Sequence, residues 1–514
     1  MHLPLLERAT EDGVTFVLTP RRPVPSCSTA EIKNRMPDRA PGSGEQYRFH
    51  FDMGSCIGCK SCIVACNEQN GNPAAINWRR VAEIEGGWYP QAQRSYLSMG
   101  CNHCVEPTCL AGCPVDAYSK DPVTGIVLHS ADTCIGCQYC TWNCSYGVPQ
   151  YNPERGVVGK CDMCHGRLEL GQAPACVTAC PEGAIAIEIV SVAEWRDQCA
   201  TAPALFGAPA GDHSLSTTRV TAPADLPPTA RPIDLIHLAQ ADPHWPLVVM
   251  TVLTQLSVGA FAAIWFLQIF GATTRLGAAA MTSMLVSALA LGASTLHLGR
   301  PIHAYRALKM WRRSWLSREV LLFSAFAGVA GLYSGALWFA VPAGMPIGAL
   351  TVLLGAGGIV ASANIYRVPA RPSWNSRLTV AQFALTAAVL GPLFAMSLGA
   401  GRPAWLVVAA VGAGTGNLLL LAATFLRLVA ADGVEMRSTA KLLSTTLALP
   451  SVLRCGLLAA GGIVLPLAGA GPAMTAASVV LTLGGELLGR YLFFVSVVPT
   501  HMATPYVAMG SEAA

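Results

Sequence analysis

Four groups of closely spaced cysteines restrict this chain more than any other feature of its sequence. Sixteen of the nineteen cysteines fall into these groups, while Cys27, Cys199 and Cys455 fit none of them. The groups are, in chain order, Cys56, Cys59, Cys62 and Cys66; Cys101, Cys104, Cys109 and Cys113; Cys134, Cys137, Cys140 and Cys144; and Cys161, Cys164, Cys176 and Cys180. All of them precede residue 200, so the first half of the chain folds around whatever these thiols bind.

Three kinds of bond compete for such thiols: disulfides, zinc coordination and iron–sulfur ligation. Disulfide frameworks suit small secreted chains, and cysteines so close in sequence strain the bridging backbone. Zinc sites usually take two close pairs with a longer gap between them. The first and third groups instead follow C-x2-C-x2-C-x3-C, the bacterial ferredoxin pattern. The spacing therefore predicts [4Fe-4S] clusters.

The ferredoxin pattern also indicates how such groups fold. Three thiolates on one tight loop hold three iron corners, and the fourth cysteine begins a helix that points away toward another cluster. Short β-like runs, GIVLH at 125–129 and AIAIEIV at 184–190, separate the groups. The sequence therefore predicts an α+β domain of two ferredoxin-like units over residues 46–199.

The second half of the chain has the composition of a membrane protein. The whole chain is 52% hydrophobic and only 12% charged, whereas soluble domains average roughly 25% charged residues. A net charge of +4 is too small to suggest nucleic acid as a partner. Residues 200–244 are rich in alanine and proline and are interpreted as a linker, with His237, Asp242 and His244 as solvated residues. Residues 1–45 are expected to form a disordered arm, and 501–514 a tail.

Uncharged stretches after Trp245 predict eight transmembrane helices, each close to the roughly 20 residues that cross a bilayer. The uncharged run 320–366 is too long for one helix and breaks at VPAGMPIG. The predicted helices cover residues 246–269, 277–297, 319–340, 347–366, 378–399, 404–427, 449–468 and 474–498. The expected fold is thus an α+β double ferredoxin-like iron–sulfur domain fused to an all-α membrane domain over residues 245–500.

Basic residues concentrate at one end of these helices. The opposite loops hold little beyond Arg275 and Arg402. By the positive-inside rule the basic loops are cytoplasmic, and with eight helices the cluster domain shares their side. Residues 1–55 contain no apolar run of a secretory signal, which agrees with that side. Export of the cluster domain to the periplasm with a signal-bearing partner is the alternative. The basic loops contain Arg300, Arg306, Lys309, Arg312, Arg313 and Arg318, then Arg367, Arg371 and Arg377, then Arg437 and Lys441.

Two polar residues lie at the basic, cluster-facing end of the predicted bundle. His297 ends the second helix in STLHLGRP, and Glu319 begins the third in SWLSREV. Polar residues in a membrane often mark functional sites, and quinol oxidation needs a group that accepts protons. A structural role is the alternative: Ser317 could cap the third helix beside Glu319, and His297 could reach toward the membrane interface.

Further polar residues occur inside the predicted helices. Glu486 and Arg490 are four residues apart and share one helix face, so a structural ion pair and a role in proton handling are both open. Gln255, Gln268, Asn364 and Asn417 are expected to join helices by hydrogen bonds rather than to bind ligands.

Longer segments resemble the dimethyl sulfoxide reductase family. Over residues 45–200, CIGCQYC, GVPQYNPE and KCDMCHGRLELGQAPACVTACPEGAI are similar to its four-cluster iron–sulfur subunit. Over residues 245–500, HLGRPIHAYRAL, SWLSRE, IYRVPARPSWNS and GELLGRYLFF resemble its membrane anchor. The resemblance implies that two subunits of that family are fused in one chain and that His297 and Glu319 bind quinol.

The resemblance also implies the ligands of four [4Fe-4S] clusters, with the first and fourth groups sharing two clusters and the second and third sharing two. Relatives in the nitrate reductase branch carry tryptophan at the position of Cys137 and hold a three-iron cluster there. Because this chain has cysteine, four-iron clusters are expected throughout. The implied sets are Cys56, Cys59, Cys62 and Cys180; Cys161, Cys164, Cys176 and Cys66; Cys101, Cys104, Cys109 and Cys144; and Cys134, Cys137, Cys140 and Cys113.

These features together predict electron transfer, in either direction, between menaquinol or ubiquinol and a separate molybdopterin-containing catalytic subunit. The chain would be a non-catalytic redox subunit with its own quinol site, anchored in the inner membrane and serving anaerobic respiration. A stand-alone ferredoxin:quinone oxidoreductase and a zinc-loaded membrane scaffold are the alternatives. The partner's substrate is open among dimethyl sulfoxide, another S- or N-oxide, and sulfite.

Overall fold

Two structurally different halves follow one another along the chain. The computed structural model describes residues 35–90, 92–201, 214–227, 230–233, 238–271, 275–342, 344–469 and 471–500. Cys27, His237, most of the predicted arm and the predicted tail lie outside the described residues. Short strands and helices make up the first half, and long helices the second. The predicted fold class is confirmed.

Two strands that are distant in sequence frame the iron–sulfur half. Strand β1 (Glu45–Asp52) pairs antiparallel with β8 (Ile185–Ser191), so that Phe49 lies opposite Ile187 and both side chains are buried. The first cysteine group starts just after β1, and the fourth group ends just before β8. Because the strands pair, the first and fourth groups meet at one end of this sheet.

A smaller hairpin lies within the long segment that connects β1 to β8. Strand β4 (Tyr118–Lys120) pairs antiparallel with β5 (Val127–His129). The second cysteine group ends just before β4, and the third begins just after β5. Helices α2 (Thr108–Gly112) and α3 (Tyr139–Asn143) pack against each other on this unit. The second and third groups are therefore brought together inside the loop that connects the first and fourth.

The remaining elements of this half are short and surround the two units. Strands β2 and β3 pair antiparallel, as do β6 and β7. Their bounds are β2 (Arg80–Gly86), β3 (Gln93–Met99), β6 (Gln150–Asn152), β7 (Val157–Gly159), α1 (Ser61–Asn70), α4 (His165–Glu169), α5 (Ala175–Thr178) and α6 (Val192–Thr201).

The stretch 200–244 does more than link the two halves. Strand β9 (Arg219–Thr221) runs parallel to β1, and β10 (Arg231–Pro232) pairs with β2. Thr217 is fully buried and donates a hydrogen bond of 2.8 Å to the carbonyl of Asn102. Composition alone suggests a linker, but open sheet edges of the first half offer this backbone its hydrogen-bond partners.

The end of the predicted arm also contacts the iron–sulfur half. Arg35 donates a hydrogen bond of 2.9 Å from Nη1 to the carbonyl of Cys180, and Gly183 lies against its guanidinium. Residues 35–45 therefore belong with the structured domain, whose first strand begins at Glu45.

Eight helices within the described residues are long and apolar enough to cross a membrane, as predicted. A shorter helix, α13 (Val434–Ser444), lies between the sixth and seventh of them. The spans are α7 (Trp245–Ile269), α8 (Leu276–Thr295), α9 (Trp315–Trp338), α10 (Gly344–Tyr366), α11 (Arg377–Ser397), α12 (Ala404–Ala430), α14 (Ala448–Ala468, with a π-helical turn at Ala460–Val464) and α15 (Pro472–Val495).

Helix α7 lies at the centre of this bundle and packs against α8, α10, α11 and α15. Gly259 and Gly391 let it approach α11 closely, since a Cβ on Gly259 would lie 2.0 Å from the carbonyl oxygen of Ala387. Small residues at helix contacts are the usual means by which membrane helices gain van der Waals contact, because lipid exclusion supplies little driving force.

The two halves dock at the end of the bundle that carries the basic loops. Arg313 forms an ion pair of 3.0 Å with Asp116, and Ser314 donates a hydrogen bond of 2.6 Å to the carbonyl of Gly112. Tyr139 and Trp142 of α3 are buried within the core of the membrane half. The iron–sulfur half and the basic loops therefore share one side of the membrane domain.

Candidate iron–sulfur centres and quinol site

Cysteines that follow β1 and a cysteine that precedes β8 line one cavity. Cys56, Cys59 and Cys62 come from the loop after β1 and the first turn of α1, and Cys180 comes from the segment before β8. The remaining wall of the cavity is largely apolar. These four thiols are the first ligand set that the family resemblance implies.

A second cavity lies beside the hairpin of β4 and β5. Cys101, Cys104 and Cys109 line it together with Cys144, the last cysteine of the third group. The pairing of β4 with β5 inside the loop between β1 and β8 explains why the fourth cysteine of each group lies with another group. Each group places three thiols around one cavity, and its fourth cysteine lies beside the neighbouring cavity.

The remaining cysteines form two further sets of neighbours. Burial raises the pKa of the Cys66 thiol, and the nearby thiols of Cys161, Cys176 and Cys164 raise it further. In the same way burial raises the pKa of Cys140, and Cys137, Cys134 and Cys113 add to the effect. These neighbours are consistent with the ligand sets that the resemblance implies, and ligation by them stays a prediction.

These sets fit iron–sulfur clusters in chemistry as well as in number. Burial raises the pKa of Cys56 to about 11 and that of Cys137 to about 12, so the thiolates need a cationic centre. Backbone amides already point at the sulfurs: Ala184 N lies 3.2 Å from Cys180 Sγ, and Ala117 N lies 3.3 Å from Cys113 Sγ. Such N–H groups stabilise cluster sulfurs.

The spacing of these thiols also differs from that of a zinc site. Among the described residues, no three histidine, cysteine, aspartate or glutamate side chains lie close enough together to hold a single metal ion. Four thiolates around a zinc ion share one centre at about 2.3 Å, whereas a cubane separates its four iron corners.

Arg79 lies buried between two of the cysteine sets, with only 2% of its surface exposed. Its charge faces Cys176 and Cys62, which belong to different sets. Nη1 donates a hydrogen bond of 3.1 Å to Ser98, while Nε and Nη2 have no hydrogen-bond partner among the described residues. A buried cation here stabilises negative charge on both sets. Sequence reasoning missed it, because nothing in NWRRVAEIEG separates Arg79 from a surface arginine.

Helix α3 connects the inner cysteine sets to the membrane half. Tyr139 lies close to both Cys137 and Glu319. Trp142, one turn later, packs against His244 at 5.3 Å and Tyr366 at 5.6 Å between ring centroids. The set around Cys137 is therefore the one closest to the bundle.

The predicted quinol residue His297 lies beside the loop of that same set. The amide of Gly299 donates to the carbonyl of Gly136 at 3.4 Å, and Gly136 stands between Cys134 and Cys137. A Cβ on Gly299 would lie 2.2 Å from the carbonyl oxygen of Gly156. Only glycine allows this close approach of the backbones.

The surroundings of His297 keep its imidazole neutral and leave one ring nitrogen open. Burial lowers its pKa to about 4, so its imidazole is neutral at ordinary pH. Its Nδ1 is buried and has no hydrogen-bond partner within the described part of the chain. A neutral imidazole with an open nitrogen is a competent hydrogen-bond or proton acceptor.

The structure argues against a capping role around Glu319. Ser314, not Ser317, precedes α9, and the Ser317 hydroxyl instead donates to the carbonyl of Pro114 at 3.4 Å. Glu319 lies beyond the first turn of α9 and is only 5% exposed, with Ser362 of α10 beside it. Both Ser317 and Glu319 thus face the contact with the iron–sulfur half.

The interpretation of His244 as a solvated residue is wrong. This histidine is half-buried at the start of α7, edge-on to Trp142 and 5.9 Å from Phe494 between ring centroids. Burial lowers its pKa, and its charge is felt at His297. Asp242 is exposed as expected. Nothing in the residues around His244 indicates that α3 covers it.

Both halves match known families. Residues 92–189 match the family model of the 4Fe-4S dicluster domain. Residues 239–495, half of the chain, match that of the DMSO reductase anchor subunit (DmsC).

Several known proteins are similar to the iron–sulfur half. An anaerobic dimethyl sulfoxide reductase chain of Haemophilus influenzae is 37% identical over 177 residues, which are 33% of this chain and 85% of that protein. The probable anaerobic dimethyl sulfoxide reductase chain YnfG of Escherichia coli is 38% identical over 172 residues, 32% of this chain and 82% of that one. A sulfite dehydrogenase subunit of Allochromatium vinosum is 34% identical over 160 residues, 27% of this chain and 67% of the relative.

Proposed function

The protein belongs to the dimethyl sulfoxide reductase family, with an iron–sulfur subunit and a membrane anchor joined in one polypeptide, and we propose that it exchanges electrons between membrane quinol and a separate molybdopterin-containing catalytic subunit. Membership makes it the electron-transfer and membrane-anchor part of a molybdenum enzyme. The proposal adds a quinol site, four clusters, and electron transfer between them in either direction.

The contact between Gly136 and Gly299 is the observation that carries this proposal. It joins a cysteine loop of the iron–sulfur half to the segment that holds His297. An electron given up at this end of the bundle would pass to the cysteine loop across this contact, which lies beside the buried Tyr139 and Trp142 of α3. The same contact serves electrons that move toward quinone.

Sixteen cysteines would hold the four clusters, which when bound supply one-electron carriers. The chain's own residues do the rest. Burial of the thiols keeps water from the sulfurs, backbone amides at Ala117 and Ala184 donate to them, and Arg79 balances their charge. His297 and Glu319 would accept hydrogen bonds from the two hydroxyl groups of quinol and take up its protons.

We propose that the iron–sulfur half faces the cytoplasm. The ion pair between Arg313 and Asp116 supports this, since it fixes that half at the end of the bundle that carries the basic loops. Protease treatment of intact spheroplasts and of inverted inner-membrane vesicles tests the sidedness. We expect cleavage within the iron–sulfur half only in the inverted vesicles; cleavage in spheroplasts would place it in the periplasm.

Purification under anaerobic conditions tests the partner. A large subunit that contains molybdenum should co-purify with the tagged chain and should accept electrons from menadiol only when the chain is present. An active preparation without molybdenum would instead support a stand-alone ferredoxin:quinone oxidoreductase. Dimethyl sulfoxide, trimethylamine N-oxide and sulfite, offered one at a time, then identify the substrate class.

A further inference from the structure

A row of four buried polar side chains follows one face of α15 through the membrane half. Ser478, Thr482, Glu486 and Arg490 recur at intervals of four residues, and each is no more than 3% exposed. Four residues advance a helix by about 6 Å, so the row covers about 18 Å of the bilayer. It runs from the end near the iron–sulfur half toward the opposite membrane face, here called the far face.

Glu486 lies in the middle of the row, and one of its hydrogen-bond partners can either donate to it or accept from it. Its Oε1 accepts a hydrogen bond of 2.5 Å from Asn417, and its Oε2 lies 2.9 Å from the hydroxyl of Thr386. That hydroxyl also lies 3.0 Å from the carbonyl of Gln382. It can therefore donate to a Glu486 carboxylate, or turn to Gln382 and accept from a protonated Glu486. Both protonation states are served without moving a helix.

Two buried arginines flank Glu486, so the positive charge around it is larger than the negative charge of its carboxylate. Arg454 of α14 and Arg490 both act on it electrostatically. Yet Nε and Nη2 of Arg454, and Nε and Nη1 of Arg490, have no hydrogen-bond partner among the described residues. A purely structural ion pair would close these donors onto the carboxylate, because unpaired buried charge is costly in a membrane. Donors left open at this depth are typical of a hydrated site.

The row continues toward the far face through a break in α14. Ser478 donates a hydrogen bond of 2.5 Å to the carbonyl of Gly461, within the π-helical turn Ala460–Val464. The Thr482 hydroxyl has no partner among the described residues and would lie 2.6 Å from a Cβ on Gly461. Turns of this type free backbone carbonyls and often mark functional sites. Glycine at 461 keeps space beside the two hydroxyls.

The other end of the row points toward the candidate quinol site. Arg490 donates a hydrogen bond of 3.0 Å to Gln255, and its guanidinium lies 3.7 Å from the ring centroid of Phe383. Tyr366 is close enough to both Arg490 and Glu319 to feel their charges. Tyr366 thus lies near both Glu319 and Arg490, between the candidate quinol site and the row.

We propose that this row conducts protons between the quinol site and the far face, with Glu486 as the residue that carries them. The inference rests on the proposed quinol site and adds a transmembrane movement of charge to it. Oxidation of one quinol gives quinone, two electrons and two protons. The electrons leave through the iron–sulfur half, and the protons leave along α15 to the far face, with bound water joining hydroxyls that lie too far apart for direct hydrogen bonds.

Reconstituted vesicles provide the test. The intact chain is incorporated into liposomes that contain the pH dye pyranine, and ferricyanide is added outside as an impermeant electron acceptor. Only chains whose iron–sulfur half faces outward can then turn over. Menadiol gives up two electrons to two ferricyanide ions, and any direct reaction between the two reagents leaves its protons outside. Acidification of the lumen therefore reports protons that have crossed by way of the chain.

We expect lumen acidification with the wild-type chain and a fall to the level of protein-free vesicles with Glu486→Gln, which keeps the size of the side chain. Thr482→Val removes one hydroxyl of the row and should slow acidification severalfold even if Glu486→Gln fails to fold. The matched control is Thr351→Val, since Thr351 is equally buried and, among the described residues, its hydroxyl bonds only to the Ile347 carbonyl of its own helix.

Two results would overturn the inference while leaving the proposed function intact. One is chain-dependent ferricyanide reduction by the wild type without lumen acidification, which would mean that the protons leave on the iron–sulfur side. The other is normal acidification by folded Glu486→Gln and Thr482→Val. If menadiol delivers no electrons through the wild-type chain at all, the quinol site itself is refuted, and the proton path with it.

Discussion

The amide nitrogen of Gly299 lies 3.4 Å from the carbonyl oxygen of Gly136, and this contact joins the membrane half to a cysteine loop. Gly299 follows His297 by two residues, and Gly136 lies between Cys134 and Cys137. No side chain stands between the two backbones. This hydrogen bond, together with the one of 3.1 Å from the amide of Arg300 to the carbonyl of Ile135, therefore links the segment of the candidate quinol site to the loop of a candidate cluster.

Replacing Gly299 by alanine should separate quinol oxidation from the clusters. The added Cβ would lie 2.2 Å from the Gly156 oxygen, so the backbones must move apart. A displacement of about 1 Å can slow a reaction on the order of a hundredfold. We expect menadiol to reduce the clusters of Gly299→Ala that much more slowly, with dithionite reduction unchanged. Gly292→Ala is the control, because a Cβ there meets nothing within 4 Å. Equal rates for both variants would refute the role of the contact.

His297 should act as a neutral hydrogen-bond acceptor over an unusually wide pH range. Burial holds its pKa at about 4, below its ordinary value of 6.5, so it is neutral above pH 5 and becomes charged as the pH falls through 4. The rate of cluster reduction by menadiol should therefore keep the contribution of His297 down to about pH 5. His297→Asn should lower the rate on the order of a hundredfold. His303→Asn, in the same loop, should not.

A rate for the wild type that already halves between pH 7 and pH 6 would contradict this account of His297. It would indicate that the imidazole titrates like an exposed histidine. The low pKa of His297 also predicts how the free energy of unfolding depends on pH. Because folding lowers this pKa, the wild type keeps its full stability above pH 6.5 and loses part of it as the pH falls toward 4. Thermal unfolding of wild type and His297→Asn at pH 7 and pH 5 measures that difference.

Arg79 should raise the reduction potentials of the two clusters that it separates. A buried cation stabilises the reduced, more negative form of each. We expect Arg79→Met to lower at least one potential by about 60 mV or more, which is a tenfold change in a one-electron equilibrium. Redox titration followed by EPR measures this. Arg94→Met, an exposed arginine paired with Glu85, is the control. Unchanged potentials in folded Arg79→Met would show that this arginine only fills space.

Cys137 should decide the iron content of the cluster closest to the membrane. With cysteine present we expect no stoichiometric three-iron EPR signal from the intact, anaerobically isolated chain. Cys137→Trp should produce such a signal and leave the other clusters intact. Cys199→Ser is the control, since Cys199 belongs to none of the four groups. A stoichiometric three-iron signal in the wild type would contradict the assignment of Cys137 as a ligand.

Much of this architecture could be predicted from the sequence because its signals are local. The spacing around Cys134 indicates a cluster loop, and the uncharged run from 246 to 270 indicates a helix long enough to span a bilayer. Local spacing does not reveal the ligand sets that combine cysteines from different groups. Cys180 joins Cys56 only because β1 pairs with β8, and a contact across so many residues has no signature in spacing.

Other features depended on docking of the two halves. His244 is polar and follows a proline-rich stretch, so its sequence context indicates a solvated residue. Trp142 covers it only because α3 packs on the bundle. Likewise β9 looks like part of a linker until the open edge of β1 is known to lie beside it. Long-range partners, rather than local propensity, determine the environment of each.

The most direct test of the central claim is an anaerobic titration of the purified intact chain with menadiol, followed by EPR and by iron and sulfide analysis. We predict about sixteen iron and sixteen sulfide per chain, as four cubanes require. Menadiol should reduce the clusters of the wild type and not those of Gly299→Ala or His297→Asn on the same time scale. Clusters that dithionite reduces but that menadiol leaves oxidised in the wild type would contradict the account.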